Sequence, residues 1–149
     1  MSMNPLHFKK LENMFHQAPI NLLMKPKLVV SHGKAEITLE VNEQFFHAAK
    51  ALHGSIYFKM LDDAAFFAAN SIETDVFVVT GSFEIKFLKP ITGGILVAIG
   101  EMTKNLGSKI EARAKLYDDD GNLYAFGSGV FVKTKILLTS IESYENLYI

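Results

Sequence analysis

A short stretch near the middle of the chain combines residue types that could act on a carbonyl group. His53, Gly54 and Ser55 open a predicted helix, and Asp62 and Asp63 lie inside it. The first backbone N–H groups of a helix are unpaired donors at its positive end, and glycine lets a ligand approach them closely. Gly54 is therefore a candidate oxyanion site that would polarise a carbonyl. The alternative interpretation is a plain serine cap at the helix start.

Asp62 is the candidate general base. Its neighbours four residues before and after, Phe58 and Phe66, are apolar, and burial among them would raise its pKa towards that of a base or a poised nucleophile. Asp63 differs, because Lys59 lies four residues earlier and offers it an ion partner. A solvent-facing carboxylate at position 62 is the alternative interpretation.

The two candidate groups are too far apart to act on one carbonyl within a single chain. Gly54 and Asp62 are eight residues apart, which corresponds to about 12 Å along a helix that rises about 1.5 Å per residue. If both act on one substrate, they must come from two different chains. A two-fold dimer would form two such sites, so the spacing predicts at least a homodimer.

Hydrophobic periodicity predicts the elements that position these residues. Residues 54–70 are apolar on almost every side, which indicates a buried helix, and Leu11, Met14 and Phe15 indicate an amphipathic helix before it. Since a sheet with one apolar face needs a cover, we expect an α+β fold whose antiparallel sheet curls around the buried helix. The tail from Lys135 is ambiguous. The predicted strands are residues 27–41 with a break at His32-Gly33, 77–88, 95–104, 108–117 and 123–134.

Composition excludes several classes of function. The 149 residues include 15 Lys+Arg and 16 Asp+Glu, for a net charge of -1, so no basic field favours nucleic acid or an anionic membrane. Absence of cysteine excludes disulfides, zinc–thiolate sites, iron–sulfur clusters and a cysteine nucleophile. We expect no metal site, since Asp118, Asp119 and Asp120 fit a hairpin turn better than a calcium loop. The N-terminus lacks the features of a secretory signal, and we expect a cytoplasmic protein.

Several motifs in order and spacing resemble the hotdog-fold acyl-CoA thioesterases of the PaaI-like, 4-hydroxybenzoyl-CoA thioesterase-type superfamily. His53-Gly54-Ser55 stands where that group has His-Gly-Gly, and Asp62 follows the histidine by nine positions. Residues 81–90 resemble the group's strand ending in Phe-x-x-Pro, and residues 107–121 its next hairpin, which ends in Asp-Asp-Gly. The resemblance covers residues 27–134. It implies one hotdog domain over residues 1–149, with an N-terminal helix and connection in 1–26 and a tail in 135–149.

The implied activity is hydrolysis of an acyl-CoA thioester. Gly54 N–H would polarise the carbonyl, while Asp62 of the partner chain would activate water or attack directly. His47 stands where the group often carries Asn, and Thr80 stands where a Ser/Thr assists the aspartate in some members. The resemblance implies a homodimer or homotetramer with interface sites, and no cofactor, since CoA is part of the substrate. The candidate substrate-binding residues are His53, Ser55, Gly81, Ser82, Lys104 and Lys109, with the two lysines as candidates for holding the CoA phosphates.

Two other functions remain open from the sequence. The departures at His47 and Ser55 would fit a non-catalytic acyl-CoA-binding module. A hydratase is a poorer match, because the buried helix offers aspartates and no glutamate. The acyl group is not specified: Phe58, Phe66, Phe67 and Phe77 favour an apolar pocket, or they simply belong to the core.

Overall fold

A computed structural model describes residues 4–147 and has the expected α+β architecture, a sheet around one long helix. The outermost positions of the predicted domain, 1–3 and 148–149, lie outside the described residues. Within the described chain, no helix is long and apolar enough to cross a bilayer. The helices are α1 (Pro5–Gln17), α2 (Pro19–Met24), α3 (Gly54–Asn70) and α4 (Glu142–Glu145), with 3-10 turns at Glu43–Phe45 and Leu138–Ser140. The strands are β1 (Lys27–Ser31), β2 (Lys34–Glu40), β3 (Val76–Phe87), β4 (Ile95–Asn105), β5 (Lys109–Asp118) and β6 (Leu123–Leu137).

The six strands form one antiparallel sheet in the order β1-β2-β4-β5-β6-β3. Residues 27–41 form a hairpin of two strands, because Gly33 turns the chain with a φ of 72°. β3 also pairs with β6 and not with its successor β4. The connection over residues 88–94, which contains Pro90, is too long for a tight hairpin, and it leaves β4 free to pair with β2.

Helix α3 lies against the concave face of the sheet at very close range. Ala64, Ala65 and Ala68 are fully buried on it, and small side chains let the backbones approach. The contact is closest at Gly100 of β4, where an added Cβ would lie 2.1 Å from the carbonyl oxygen of Ala64. The predicted buried helix is therefore held in a fixed position along its middle turns, where Asp62 and Asp63 also lie.

The two edges of the sheet differ in whether their outward-facing backbone groups are hydrogen-bonded. At the β1 edge, α1 supplies acceptors for outward-facing amides: the N–H of Val30 donates to Glu12 Oε2 at 2.8 Å, and that of Leu28 donates to His16 Nε2 at 3.0 Å. At the opposite edge, within residues 4–147, the backbone of β3 from Thr80 to Phe87 bonds only to β6. An uncovered edge strand is a ready template for another chain.

The acidic turn between β5 and β6 has the predicted hairpin structure. The N–H of Asp118 donates to the carbonyl of Asn122 at 3.1 Å, and Gly121 adopts a φ of 85°. The Asp118 carboxylate accepts the N–H groups of Asp120 and Asn122. These hydrogen bonds explain the cluster as turn chemistry.

The C-terminal tail forms structure that the sequence left ambiguous. β6 extends to Leu137, and α4 then packs on α1. Asn13 Nδ2 of α1 donates to the Ser143 carbonyl at 2.6 Å. His7, only 3% exposed, joins both helices to the end of α3. Its Nε2 donates to the Asn70 carbonyl at 2.9 Å, so its Nδ1 accepts the Tyr144 hydroxyl at 2.7 Å.

This buried histidine predicts a loss of stability in mild acid. Burial lowers the pKa of His7 below its ordinary 6.5, so the unfolded state binds a proton first as the pH falls. The free energy of unfolding should therefore fall as the pH drops below about 6.5, by at most about 1.4 kcal/mol per pH unit for one group. Burial also lowers the pKa of His16, so this histidine changes the free energy of unfolding in the same direction.

Urea denaturation of wild type and His7→Gln at pH 7.5 and pH 5.5 isolates the His7 contribution. The variant should be less stable than wild type at pH 7.5. Its free energy of unfolding should fall less between pH 7.5 and pH 5.5, because glutamine does not titrate. Equal losses in the two proteins would show that His7 does not cause the pH dependence.

Candidate active site

A cavity of about 520 Å³ lies between α3, β3 and the N-terminal helices. Asp62 and Thr80 lie on its wall, together with Asp63 and Lys59. Most of the other lining residues are apolar and come from four separate parts of the chain. They include Met14, Phe15 and Ile20 from the N-terminal helices, Phe66 and Phe67 from α3, Phe77 and Val79 from β3, and Ile141.

Asp62 is half-buried on this wall, and it has one hydrogen-bond donor from the neighbouring strand. Thr80 Oγ1 donates to Asp62 Oδ1 at 2.8 Å. Burial raises the pKa of Asp62 above its ordinary 3.8; the Thr80 hydrogen bond opposes this rise, the Asp63 charge adds to it, and the Lys59 charge opposes it. The Asp62 carboxylate is therefore a stronger base than an exposed aspartate, and one oxygen, Oδ2, has no hydrogen-bond partner within residues 4–147.

Asp63 differs from Asp62 in having a cation as its partner. Its Oδ2 accepts a short hydrogen bond from Lys59 Nζ, one helical turn earlier, as the sequence predicted. Burial raises the pKa of Asp63, and the Lys59 charge and hydrogen bond oppose that rise. The ion pair therefore occupies the carboxylate of Asp63, whereas Asp62 keeps one carboxylate oxygen available.

The start of α3 leaves one backbone donor without an acceptor. His53 is the N-cap, and its Nδ1 accepts the N–H of Ser55 at 3.0 Å, while its carbonyl accepts the N–H of Ile56 at 3.0 Å. Ser55 Oγ also lies 2.8 Å from His53 Nδ1. Among the described residues, nothing accepts the N–H of Gly54. His53 and Ser55 thus complete the cap, and the free donor is the one predicted for the carbonyl.

Gly54 does not line the Asp62 cavity of its own chain. Both residues lie on α3, which keeps the separation of about 12 Å expected from helical rise. The structure therefore retains the geometry from which a two-chain site was predicted: a base in one place and a carbonyl donor in another.

His47 lies in the exposed loop between the Glu43–Phe45 turn and α3. Its Nδ1 accepts the N–H of Ala49 at 3.1 Å. In the neutral ring this places the proton on Nε2, which is left as a donor. His47 does not line the cavity, so any contribution to the site would also be made towards another chain.

The remaining predicted binding residues lie away from the cavity of their own chain. Gly81 sits at an irregularity in the pairing of β3 with β6, and an added Cβ would lie 3.0 Å from Val132 Cγ2. Ser82 lines a separate cleft. Lys104 and Lys109 are exposed at the end of β4 and the start of β5. Their role in holding CoA stays a prediction.

Sequence reasoning missed the contribution of the N-terminal segment to the cavity. Of the four phenylalanines considered, Phe66, Phe67 and Phe77 line it, whereas Phe58 packs against Phe83. The corner between α1 and α2 also lines it. Residues so distant from Asp62 in sequence give no periodic signal of this contact.

Comparison with known proteins agrees with this architecture. The sequence model of the Thioesterase superfamily matches residues 49–125, which include α3, β3 and β4. A relative named "Putative esterase SSO2140", from Saccharolobus solfataricus, is 26% identical over 131 residues, covering 87% of this chain and 90% of that protein.

Solved structures share the fold at low sequence identity. The Escherichia coli PaaI protein from the phenylacetic acid degradation operon superposes with a TM-score of 0.78 at 20% identity, covering 89% of this chain and 98% of that one. A thioesterase family protein from Silicibacter pomeroyi has a TM-score of 0.78 at 22% identity, covering 87% and 97%. The predicted resemblance and the hotdog fold are confirmed, and the chain belongs to the thioesterase superfamily.

Proposed function

We propose that this protein hydrolyses an acyl-CoA thioester to the free acid and CoA. The observation that carries the proposal is Asp62: a half-buried carboxylate with a raised pKa, a threonine donor on one oxygen, and an apolar cavity beside it. Membership of the thioesterase superfamily supports ester or thioester cleavage as the reaction class.

In this mechanism Asp62 removes a proton from water as the water oxygen adds to the thioester carbon. Negative charge develops on the carbonyl oxygen, and the Gly54 N–H of a second chain donates a hydrogen bond to that oxygen. The C–S bond then breaks, and the proton held by Asp62 passes to the departing sulfur. Direct attack by Asp62 would give an anhydride that water cleaves to the same products.

The open edge of β3 supports the second chain that this mechanism requires. Thr80, the partner of Asp62, lies on β3 where the backbone bonds only to β6 within the described residues. Another protomer paired along that edge would lie beside the cavity. The free Gly54 N–H and the Nε2 donor of His47 would then reach the carbonyl from the opposite protomer.

Free-thiol release from a panel of acyl-CoAs tests the proposal. The panel contains acetyl-, hexanoyl-, dodecanoyl- and phenylacetyl-CoA, with calorimetric binding measured on the same samples. The proposal predicts turnover on at least one of them. Tight binding without thiol release would establish the alternative, a non-catalytic acyl-CoA-binding module, and make His47 the first residue to study.

Thr80 should set the acid limb of the activity. Its hydrogen bond lowers the pKa of Asp62, so Thr80→Val should move the loss of kcat in acid to higher pH. A hydrogen bond to a charged group contributes about 1.5–3 kcal/mol, so we expect on the order of a tenfold loss at pH 5 and a small one at pH 8. Thr80→Ser keeps the hydroxyl and should follow the wild-type pH profile. A Val variant with the wild-type profile would contradict this role.

A further inference from the structure

We propose that the cavity beside Asp62 holds the acyl group, and that the corner between α1 and α2 selects for a bulky apolar one. This inference rests on the proposed hydrolysis and adds the class of acyl group to it. The corner is the segment Phe15–Asn21, whose residues line the cavity except for His16. It lies outside residues 49–125, which match the superfamily.

The size and charge of the cavity determine which acyl groups fit. A dry cavity of about 150 Å³ holds benzene, so about 520 Å³ has room for a medium alkyl chain or an arylalkyl group. An acetyl group would leave most of the apolar wall uncovered and gain little from burial. Asp62 and Asp63 outnumber Lys59 on the same wall, so the wall carries a net negative charge that opposes an anionic acyl group such as succinyl.

The corner is a fixed wall because several contacts hold it. Asn21 Nδ2 donates to the Phe15 carbonyl at 2.8 Å, which ties the start of α2 to the end of α1. The Phe15 ring packs edge-on against Phe67 of α3 with ring centroids 5.3 Å apart. Lys59 Nζ lies 5.5 Å from the centre of the Phe15 ring. A preformed wall can discriminate between acyl groups because it does not adapt to each one.

The corner and Asp62 belong to the same chain. The acyl group would therefore enter the protomer that supplies the base, whereas Gly54 of the other protomer holds the carbonyl. Ile20 is the accessible part of this wall: it lines the cavity and is still 54% exposed. A larger side chain at position 20 can narrow the cavity without disturbing the core.

Two matched substitutions on α2 test the corner. Ile20→Trp should lower kcat/KM for dodecanoyl- and phenylacetyl-CoA relative to acetyl-CoA by at least about tenfold, since one methylene already contributes about 10- to 200-fold to discrimination. Leu22→Trp is the control: Leu22 lies on the same short helix and is 57% exposed, but does not line the cavity. Leu22→Trp should leave the kcat/KM values for dodecanoyl- and phenylacetyl-CoA unchanged relative to that for acetyl-CoA.

Phe77→Ala should change selectivity in the opposite direction. Phe77 lines the cavity, and its ring centroid lies 5.4 Å from that of Phe66, so removing the ring enlarges the cavity and should favour dodecanoyl-CoA over hexanoyl-CoA. The same ranking should appear in binding of these acyl-CoAs to Asp62→Asn protein that carries each substitution. This readout needs no turnover.

Opposite shifts in Ile20→Trp and Phe77→Ala, with none in Leu22→Trp, would support the proposal. Unchanged ratios in both cavity variants, or an equal shift in Leu22→Trp, would overturn it while leaving hydrolysis intact. Absence of turnover by wild type on every acyl-CoA would instead refute the proposed function. Succinyl-CoA as a preferred substrate would also overturn the inferred class.

Discussion

Asp62→Asn is expected to lower kcat for acyl-CoA hydrolysis by about 10²- to 10⁴-fold, the usual contribution of a positioned general base. Asparagine has nearly the same shape, and its Oδ1 can still accept the Thr80 hydroxyl, so the fold should be retained. The variant should also keep its affinity for acyl-CoA, because the cavity wall is unchanged. Initial rates of thiol release measure the loss of kcat, and circular dichroism checks that the variant is folded.

Asp63→Asn is the control for Asp62→Asn. Asp63 is the next residue on α3, lines the same cavity and has a raised pKa, but its carboxylate is paired with Lys59. Its loss should lower kcat only a few-fold through the local field. Equal losses in the two variants would indicate a general electrostatic effect and would contradict a specific role for Asp62.

Gly54→Pro is expected to lower kcat by about 10²- to 10³-fold, the effect of losing one oxyanion donor. Proline has no N–H, and the first position of a helix tolerates it. The preceding residue, His53, already has the extended conformation that proline requires, with φ -63° and ψ 140°. The substitution therefore removes the donor and leaves the helix start in place.

Gly54→Ala separates the donor from the space that glycine provides. An added Cβ would lie 3.3 Å from Phe87 Cε1, and Phe87 is exposed and can move slightly. Alanine keeps the N–H, so this variant should retain most of the activity. If alanine and proline reduce kcat equally, access to the helix start matters and the hydrogen bond from Gly54 does not.

Local sequence signals predicted most of the elements, because the elements bury regular faces. The continuous apolar character of 54–70 indicated α3, and alternation at Ile110, Ala112 and Ala114 indicated β5. Pairing between strands has no such local signal. The place of β3 beside β6 depends on where the 88–94 connection crosses, which periodicity does not record.

The site shows the same division between local and distant contacts. The pairing of Asp63 with Lys59 follows from helical spacing, so the sequence predicted it. The contact of Asp62 with Thr80 joins α3 to β3 and was expected only through the family resemblance. The corner at Phe15–Asn21 was missed, since the six-residue helix α2 (Pro19–Met24) carries no pattern that indicates what it covers.

The central claim is that each active site combines Asp62 of one chain with Gly54 of another, and complementation tests it directly. Asp62→Asn and Gly54→Pro chains, each nearly inactive alone, are co-expressed at equal levels and assayed for thiol release. Random pairing in a two-fold assembly places both native residues in about one quarter of the sites, so activity should recover to about a quarter of wild type. If each site is built within one chain, every site keeps one defect and the mixture stays as inactive as its components.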